Sequence, residues 1–128
     1  MVIDTSAVMA ILLDEADAAQ YVTVMIRAPS LIMSAGTYVE FGIIVRSRQG
    51  FDAAAVDEAL ARWGVVIVPL SPTQARLAIE AFAAFGKGFH AARLNYGDCF
   101  AYALAKERGE PLLFKGSDFA RTDIAAAI

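Results

Sequence analysis

The run Gly64-Val65-Val66-Ile67-Val68-Pro69-Leu70-Ser71-Pro72 carries the plainest structural signal in the chain. Four β-branched residues between a glycine and a proline read as a strand. Their lack of polar alternation predicts burial on both faces, as in a parallel sheet. Ser71-Pro72 then starts a helix, with Pro at the first helical position, where its missing N–H costs no hydrogen bond. That helix is expected to run to about Phe85.

The same strand-then-helix unit recurs on either side. Met1-Val2-Ile3 reads as a short strand that ends at Asp4-Thr5-Ser6, where Asp4 or Ser6 can cap a short helix over Ala7–Leu13. Residues 16–27 form a second helix with Ala19, Val22 and Ile26 on one face, stopped by Pro29. Leu31-Ile32-Met33 is a second strand. Ser34 to Gln49 is a long helix with Val39, Ile43 and Ile44 expected inward and Arg46 and Arg48 near its end, where the dipole favours cations. Phe51-Asp52 opens a helix from Ala53 to Trp63. Gly86-Lys87-Gly88 is a flexible stretch. Asn95 caps a helix from Tyr96 to about Arg108. Leu112-Leu113-Phe114 is a fourth strand, followed by the turn Lys115-Gly116-Ser117-Asp118. The tail from Phe119 is a short helix or an edge strand. Strands alternating with helices, without hairpin signals, predict a three-layer α/β/α sandwich around a short-stranded, mainly parallel sheet. Residues 1–128 are expected to form a single domain, without repeats or linkers.

Composition excludes several classes. Of 128 residues 58% are hydrophobic, and 26 of them are alanine, so close helix packing explains much of the apolar content. The chain is too apolar and too weakly charged to be disordered. No stretch approaches the roughly 18 apolar residues of a membrane span. No basic lead-in precedes an apolar segment at the N-terminus, so no export signal is expected. A single cysteine, Cys99, leaves no disulfide framework and no multi-cysteine zinc site. A cytoplasmic protein with no membrane attachment is expected.

Net charge is −3, which argues against a protein that coats nucleic acid. Its distribution is uneven. Residues 1–60 hold 3 basic and 8 acidic side chains, and residues 61–128 hold 8 and 6. Between Gly86 and Gly97 lie Lys87, His90 and Arg93 and no acid. This is either a phosphate-contacting patch or a solvated loop.

Four acids fall where a parallel sheet binds ligands, beyond the C-terminal strand ends. Asp4 follows the first strand and Asp118 the fourth; Glu40 and Asp98 sit near helix starts. Each also fits a cap. Thr37-Tyr38-Val39-Glu40 and Asn95-Tyr96-Gly97-Asp98 have capping-box spacing, and Asp4 and Asp118 can each cap the next element of the chain. A cap contributes about 1 kcal/mol, whereas two carboxylates about 5 Å apart repel by roughly 3 kcal/mol at an effective dielectric near 20. Four converging acids therefore call for a cation. An all-oxygen set suits Mg²⁺ or Mn²⁺ rather than zinc.

Taken together, Met1-Val2-Ile3-Asp4-Thr5-Ser6-Ala7, Thr37-Tyr38-Val39-Glu40, Leu94-Asn95-Tyr96-Gly97-Asp98-Cys99-Phe100-Ala101 and Leu112-Leu113-Phe114-Lys115-Gly116-Ser117-Asp118-Phe119 resemble the four motifs of the PIN domain. The likeness is to the VapC-type toxins of bacterial VapBC toxin–antitoxin modules, and it covers nearly the whole chain. Ser117 departs from the pattern, in which Asp or Asn commonly precedes the last acid. The resemblance implies a PIN-like fold and a metal-dependent endoribonuclease with Asp4, Glu40, Asp98 and Asp118 as its catalytic acids.

In that scheme Asp4 and Asp98 bind Mg²⁺ or Mn²⁺, Glu40 orients the attacking water and Asp118 completes the cluster. Thr5, Ser6 and Ser117 support the acids or the phosphate. Lys87, His90, Arg93 and Lys115 are candidate RNA contacts. Cys99 is expected in the core, and Tyr96 and Tyr102 in helix packing. The resemblance also implies a cognate VapB-type antitoxin and a homodimer, with Ala7–Leu13 or residues 53–61 as candidate surfaces. A receiver domain or a dehalogenase-like phosphatase fits less well: Thr5 and Ser6 stand where each needs a further acid. A catalytically dead PIN-like module that binds RNA or protein is the alternative.

Overall fold

The computed structural model describes residues 1–50 and 52–128, with the side chains of Arg48, Gln49 and Ala53 left aside. The expected roles of Phe51 and of the Arg48 side chain lie outside the described residues. The elements are β1 (Val2–Ile3), α1 (Thr5–Leu12), α2 (Ala18–Arg27), β2 (Leu31–Ser34), α3 (Ala35–Gln49), α4 (Ala53–Arg62), β3 (Val65–Val68), α5 (Pro72–Phe85), α6 (Asp98–Arg108), β4 (Leu112–Leu113) and a 3₁₀ turn at Phe119–Arg121.

All four strands are parallel, in the order β3-β2-β1-β4. The chain moves outward from β1 to β3 and then returns to the far side of β1. The order therefore reverses between β1 and β4, which is where such sheets leave a crevice at their C-terminal edge. The tail adds a parallel bridge, Leu112 to Ala126, so it supplies both a short turn and an edge contact.

Side chains alternate across the strands. Ile3, Leu31, Met33 and Leu113 enter one core with Val8 of α1, Tyr21 and Met25 of α2, Phe41 and Val45 of α3, and Val56 and Leu60 of α4. Val2 and Leu112 enter the other with Ala78 and Ala81 of α5 and Cys99, Tyr102 and Leu104 of α6. Helices thus cover both faces, as the alternation of elements predicts. Ala101, Ala103 and Ala105 are also buried. Their small side chains let α6 lie close against its neighbours on several sides.

Three expectations need correction. Val65–Val68 is an edge strand rather than one buried on both faces: Val66 is 59% exposed. On α2 the buried face is Ala18, Tyr21 and Met25, one position back from the expected set, and Ile26 is 79% exposed. On α3 the core takes Thr37, Phe41 and Val45, while Val39 and Ile43 lie outside. Apolar residues surround α3 on every side, so periodicity alone does not select its inner face. Boundaries shift by one or two residues. Asp4 caps α1 directly, Ser34 caps α3, and α6 begins at Asp98 rather than Tyr96. No helix among the described residues is long and apolar enough to cross a membrane.

Candidate active site

Asp4 leaves β1 at the crevice and is 3% exposed. Its Oδ2 accepts the Ser6 N–H at 2.9 Å and the Ser6 hydroxyl at 2.5 Å, which caps α1. Its Oδ1 is buried with no partner among the described residues. One carboxylate oxygen is thus used for folding, and the other is left unsatisfied, normally a cost of about 1–3 kcal/mol or more. Burial raises the Asp4 pKa, and the charge of Asp118 adds to the effect against the opposing Ser6 and Thr5 hydrogen bonds.

The Ser6 hydroxyl also accepts the backbone N–H of Lys115 at 2.9 Å, which joins the end of β1 to the turn after β4. Beyond that turn, the Lys115 ammonium pairs with Glu15 and, at 2.6 Å, with Asp17 in the α1–α2 connection. Lys115, expected among the RNA contacts, thus pairs its half-exposed cation with these two carboxylates.

Glu40 reaches the same region from α3. The Thr5 hydroxyl donates to its Oε2 at 2.9 Å. Burial raises its pKa, with the charge of Asp4 adding and the Thr5 bond opposing. The Glu40 carboxylate lies against Gly97, where any Cβ would overlap it. The capping box at Thr37 does not form, because α3 already starts at Ala35 with Ser34 as its cap.

Asp98 opens α6. The Asn95 N–H donates to Asp98 Oδ2 at 2.6 Å, and the Asp98 N–H to Asn95 Oδ1 at 3.0 Å, so the reciprocal cap expected there is present. Burial pushes the Asp98 pKa up to about 7, helped by the charges of Asp4, Glu40 and Asp118 and opposed by the Asn95 bond. The charges of Asp4, Glu40 and Asp118, distant in sequence, thus reach Asp98 at the topological switch point.

They do not form a closed shell. Among the described residues no three His, Cys, Asp or Glu side chains group tightly enough to enclose a metal ion. Asp118 is exposed and caps nothing with its side chain; Ser117 is exposed and makes no side-chain hydrogen bond among the described residues. The donor chemistry nevertheless fits a hard divalent cation. It is all oxygen, includes one orphaned buried carboxylate atom, and holds three acids whose ionisation burial opposes.

Lys87, His90 and Arg93 are exposed around an open hollow of about 520 Å³ with Gly88, Phe89 and Ala91. Cys99 is buried as expected, and burial pushes its thiol up to about 11. Tyr102 is buried and donates to Asp123 at 2.6 Å. Tyr96 is 78% exposed, contrary to the packing role expected of it, and meets Phe100 edge-on at 4.9 Å. Sequence reasoning missed Gly97, Phe89 and the pairing of Lys115 with Glu15 and Asp17. A glycine at the entry to a helix, where it weakens helix formation, was the available signal for Gly97.

A parallel sheet reversing between β1 and β4, with acids from β1, α3, α6 and the turn after β4 around the reversal, defines a carboxylate-centred α/β class. The chain belongs to the PIN-domain family, whose model matches residues 1–125. Within it, the chain groups with the VapC-type proteins. It is 46% identical over 130 residues to the ribonuclease VapC28 of Mycobacterium tuberculosis, covering 100% of this chain and 98% of that protein. It is 48% identical over 127 residues to the ribonuclease VapC of Mycolicibacterium smegmatis, covering 98% of each. Among solved structures, Mycobacterium tuberculosis VapC20, a sarcin-ricin loop cleaving toxin, matches with TM-score 0.74 over 97% of this chain and 95% of that one, at 18% identity. A toxin–antitoxin complex from Klebsiella pneumoniae matches with TM-score 0.72 over 95% and 92%, at 17% identity.

Proposed function

We propose that the chain is a metal-dependent endoribonuclease, the toxin of a toxin–antitoxin module, acting at Asp4, Glu40, Asp98 and Asp118. The main support is Asp98, whose carboxyl sits among three other acids and is pushed up to about 7. Structural ion-pair networks also perturb pKa values, but here no cation is among the causes of the shift. Asp4 and Asp98 would hold Mg²⁺ or Mn²⁺. When bound, such an ion neutralises phosphate charge and favours ionisation of an attacking water. Glu40, fixed by Thr5, takes up the proton of that water as general base. Ser6 holds Asp4 in place from the other side. Asp118, at the open rim, adds negative charge that favours the cation.

Curated relatives named ribonuclease VapC support the RNA substrate. The Klebsiella pneumoniae toxin–antitoxin complex supports an antitoxin partner, which we take to be of the VapB type; an excess of carboxylates favours insertion of a cationic side chain. A homodimer completes the proposal. Of the stretches that could serve it, Ala7–Leu13 turns Ala7, Val8 and Ala10 into the core and residues 54–61 turn Val56 and Leu60 there, whereas Val39, Ile43, Ile79 and Tyr96 present apolar surface outside.

The test is cleavage of a structured RNA pool by the purified chain with Mg²⁺, Mn²⁺ or a chelator, beside Asp98→Asn. Metal-dependent cleavage that vanishes in the variant is expected. Cleavage that persists in the chelator or in the variant overturns the assignment. Absence of both cleavage and calorimetric Mn²⁺ binding leaves a catalytically dead PIN-like module.

A further inference from the structure

We propose that the loop from Gly86 to Leu94 is a platform for single-stranded RNA, with Phe89 stacking one unpaired base and Lys87 and Arg93 holding the phosphates beside it. The proposal rests on the nuclease assignment and adds Phe89 to it as a substrate-contacting residue.

The loop is held in shape by its own bonds. At its neck the Leu94 N–H donates to Phe85 O at 3.0 Å and the Lys87 N–H to Leu94 O at 2.9 Å. Inside, the Phe89 and His90 N–H groups both donate to Gly86 O at 3.0 Å, and the Ala92 N–H donates to His90 Nδ1 at 3.1 Å. Ala92 and Leu94 are buried, and Arg121 reaches over to Ala91 O at 3.1 Å. Arg93 takes φ +60, a left-handed conformation that a non-glycine side chain adopts at a cost.

On this built scaffold Phe89 stays 72% exposed. Burying a phenylalanine side chain stabilises a fold, so a shaped loop that leaves one in water forgoes that stabilisation. The ring is oriented by an edge-on contact with Phe82, at 5.9 Å between centroids and 79° between planes. Lys87, His90 and Arg93 line the same hollow, with no acid from Gly86 to Gly97. Neither Lys87 nor Arg93 takes part in an ion pair among the described residues.

A fixed exposed ring among uncommitted cations matches an unpaired nucleotide, whose base offers a face and whose backbone offers charge. A duplex hides its base faces and would leave Phe89 unused. Leu94 ends the loop, and the Asn95 N–H that follows it bonds the Asp98 carboxylate at 2.6 Å, so the loop and the acid share one stretch of backbone.

The experiment uses full-length chain silenced by Asp98→Asn and a fluorescein-labelled 12-nucleotide RNA, presented single-stranded or annealed to its complement. The single strand is expected to bind more tightly. Adding Phe89→Ala is expected to weaken single-strand binding roughly 5- to 100-fold, as loss of one base stack does, while Phe89→Trp retains it. Lys87→Ala with Arg93→Ala is expected to lower the salt dependence of log affinity by about 1.4, two contacts at about 0.7 each. Ile26→Ala, which removes a 79% exposed apolar side chain elsewhere, is expected to change nothing.

Equal binding by the Phe89→Ala protein, or equal binding of duplex, overturns the platform. A Phe89→Ala protein that changes sedimenting mass but not RNA affinity overturns it in favour of a protein interface. Wild-type cleavage that is unaffected by Phe89→Ala removes the platform alone; absence of both cleavage and RNA binding removes the nuclease assignment with it.

Discussion

Two groups of carboxylates lie on either side of the turn after β4, and they have opposite electrostatics. Glu15 and Asp17 meet the Lys115 ammonium, and Asp17 is held below the usual carboxylate range by that bond. Among the described residues Asp4, Glu40 and Asp98 meet no cation, and burial pushes all three up. The Lys115 backbone connects the two groups through Ser6. A chain selected for stability alone would pair its buried acids, or replace them with apolar residues. The first group is arranged as structure requires, and the second carries a desolvation cost that the proposed cation would offset.

The sharpest way to break this contrast is to neutralise Asp98. Asp98→Asn keeps an acceptor for the Asn95 N–H but removes the charge. Cleavage is expected to fall about 100-fold or more, while Tm at pH 8 rises by roughly 3–6 °C for each kcal/mol gained. An unchanged rate or a lowered Tm contradicts it.

A pH titration of stability sharpens the same point. Folded Asp98 binds its proton up to about pH 7, whereas the unfolded chain releases it near pH 4. Between these values the folded state carries more protons. Its contribution to stability is therefore full below about pH 4 and is lost as pH rises toward 7. Denaturant titrations are expected to show that decline in the wild type and a flatter profile in Asp98→Asn.

Gly97→Ala separates folding from chemistry. Backbone angles at Gly97 are helical, so alanine is tolerated locally, yet its Cβ meets the Glu40 carboxylate. Cleavage is expected to fall about 10-fold or more, the order of a misplaced general base, with the circular dichroism spectrum unchanged. The smallest effect belongs to Lys115→Met, which frees Glu15 and Asp17. A reduced kcat with little change in KM is expected, because the Ser6–Asp4 contact loosens while the acids remain; Lys115→Arg restores it. A shift in KM alone would instead return Lys115 to the RNA contacts.

The strand-and-helix order was legible because Val65–Val68, Ser71-Pro72 and the left-handed glycines that end α3 and α6, Gly50 and Gly109, are strong local signals. The faces of α2 and α3 were not: both helices offer apolar residues at adjacent positions, and only packing selects Tyr21 over Val22 or Phe41 over Ile43. The same applies to β3, whose composition reads as buried although topology leaves it at the edge. Of the four acids, the motifs locate the positions but not how far apart they stand. The ion pairs of Lys115 were not legible because its partners lie about a hundred residues away, beyond any local pattern.

The edge position of β3 also bears on how the molecule avoids its own kind. On the β4 side, the tail lies along the sheet at Ala126 and covers it. On the β3 side, backbone groups stay open, as in any template for strand addition. That side is only four residues long, between Gly64 at φ +69 and Pro69, which has no N–H to donate. A second chain aligning there would find too few partners to extend a ladder. Shortness, rather than charge, is what guards this sheet against fibrous association, so lengthening the strand by replacing Pro69 would be expected to lower solubility before it altered the fold.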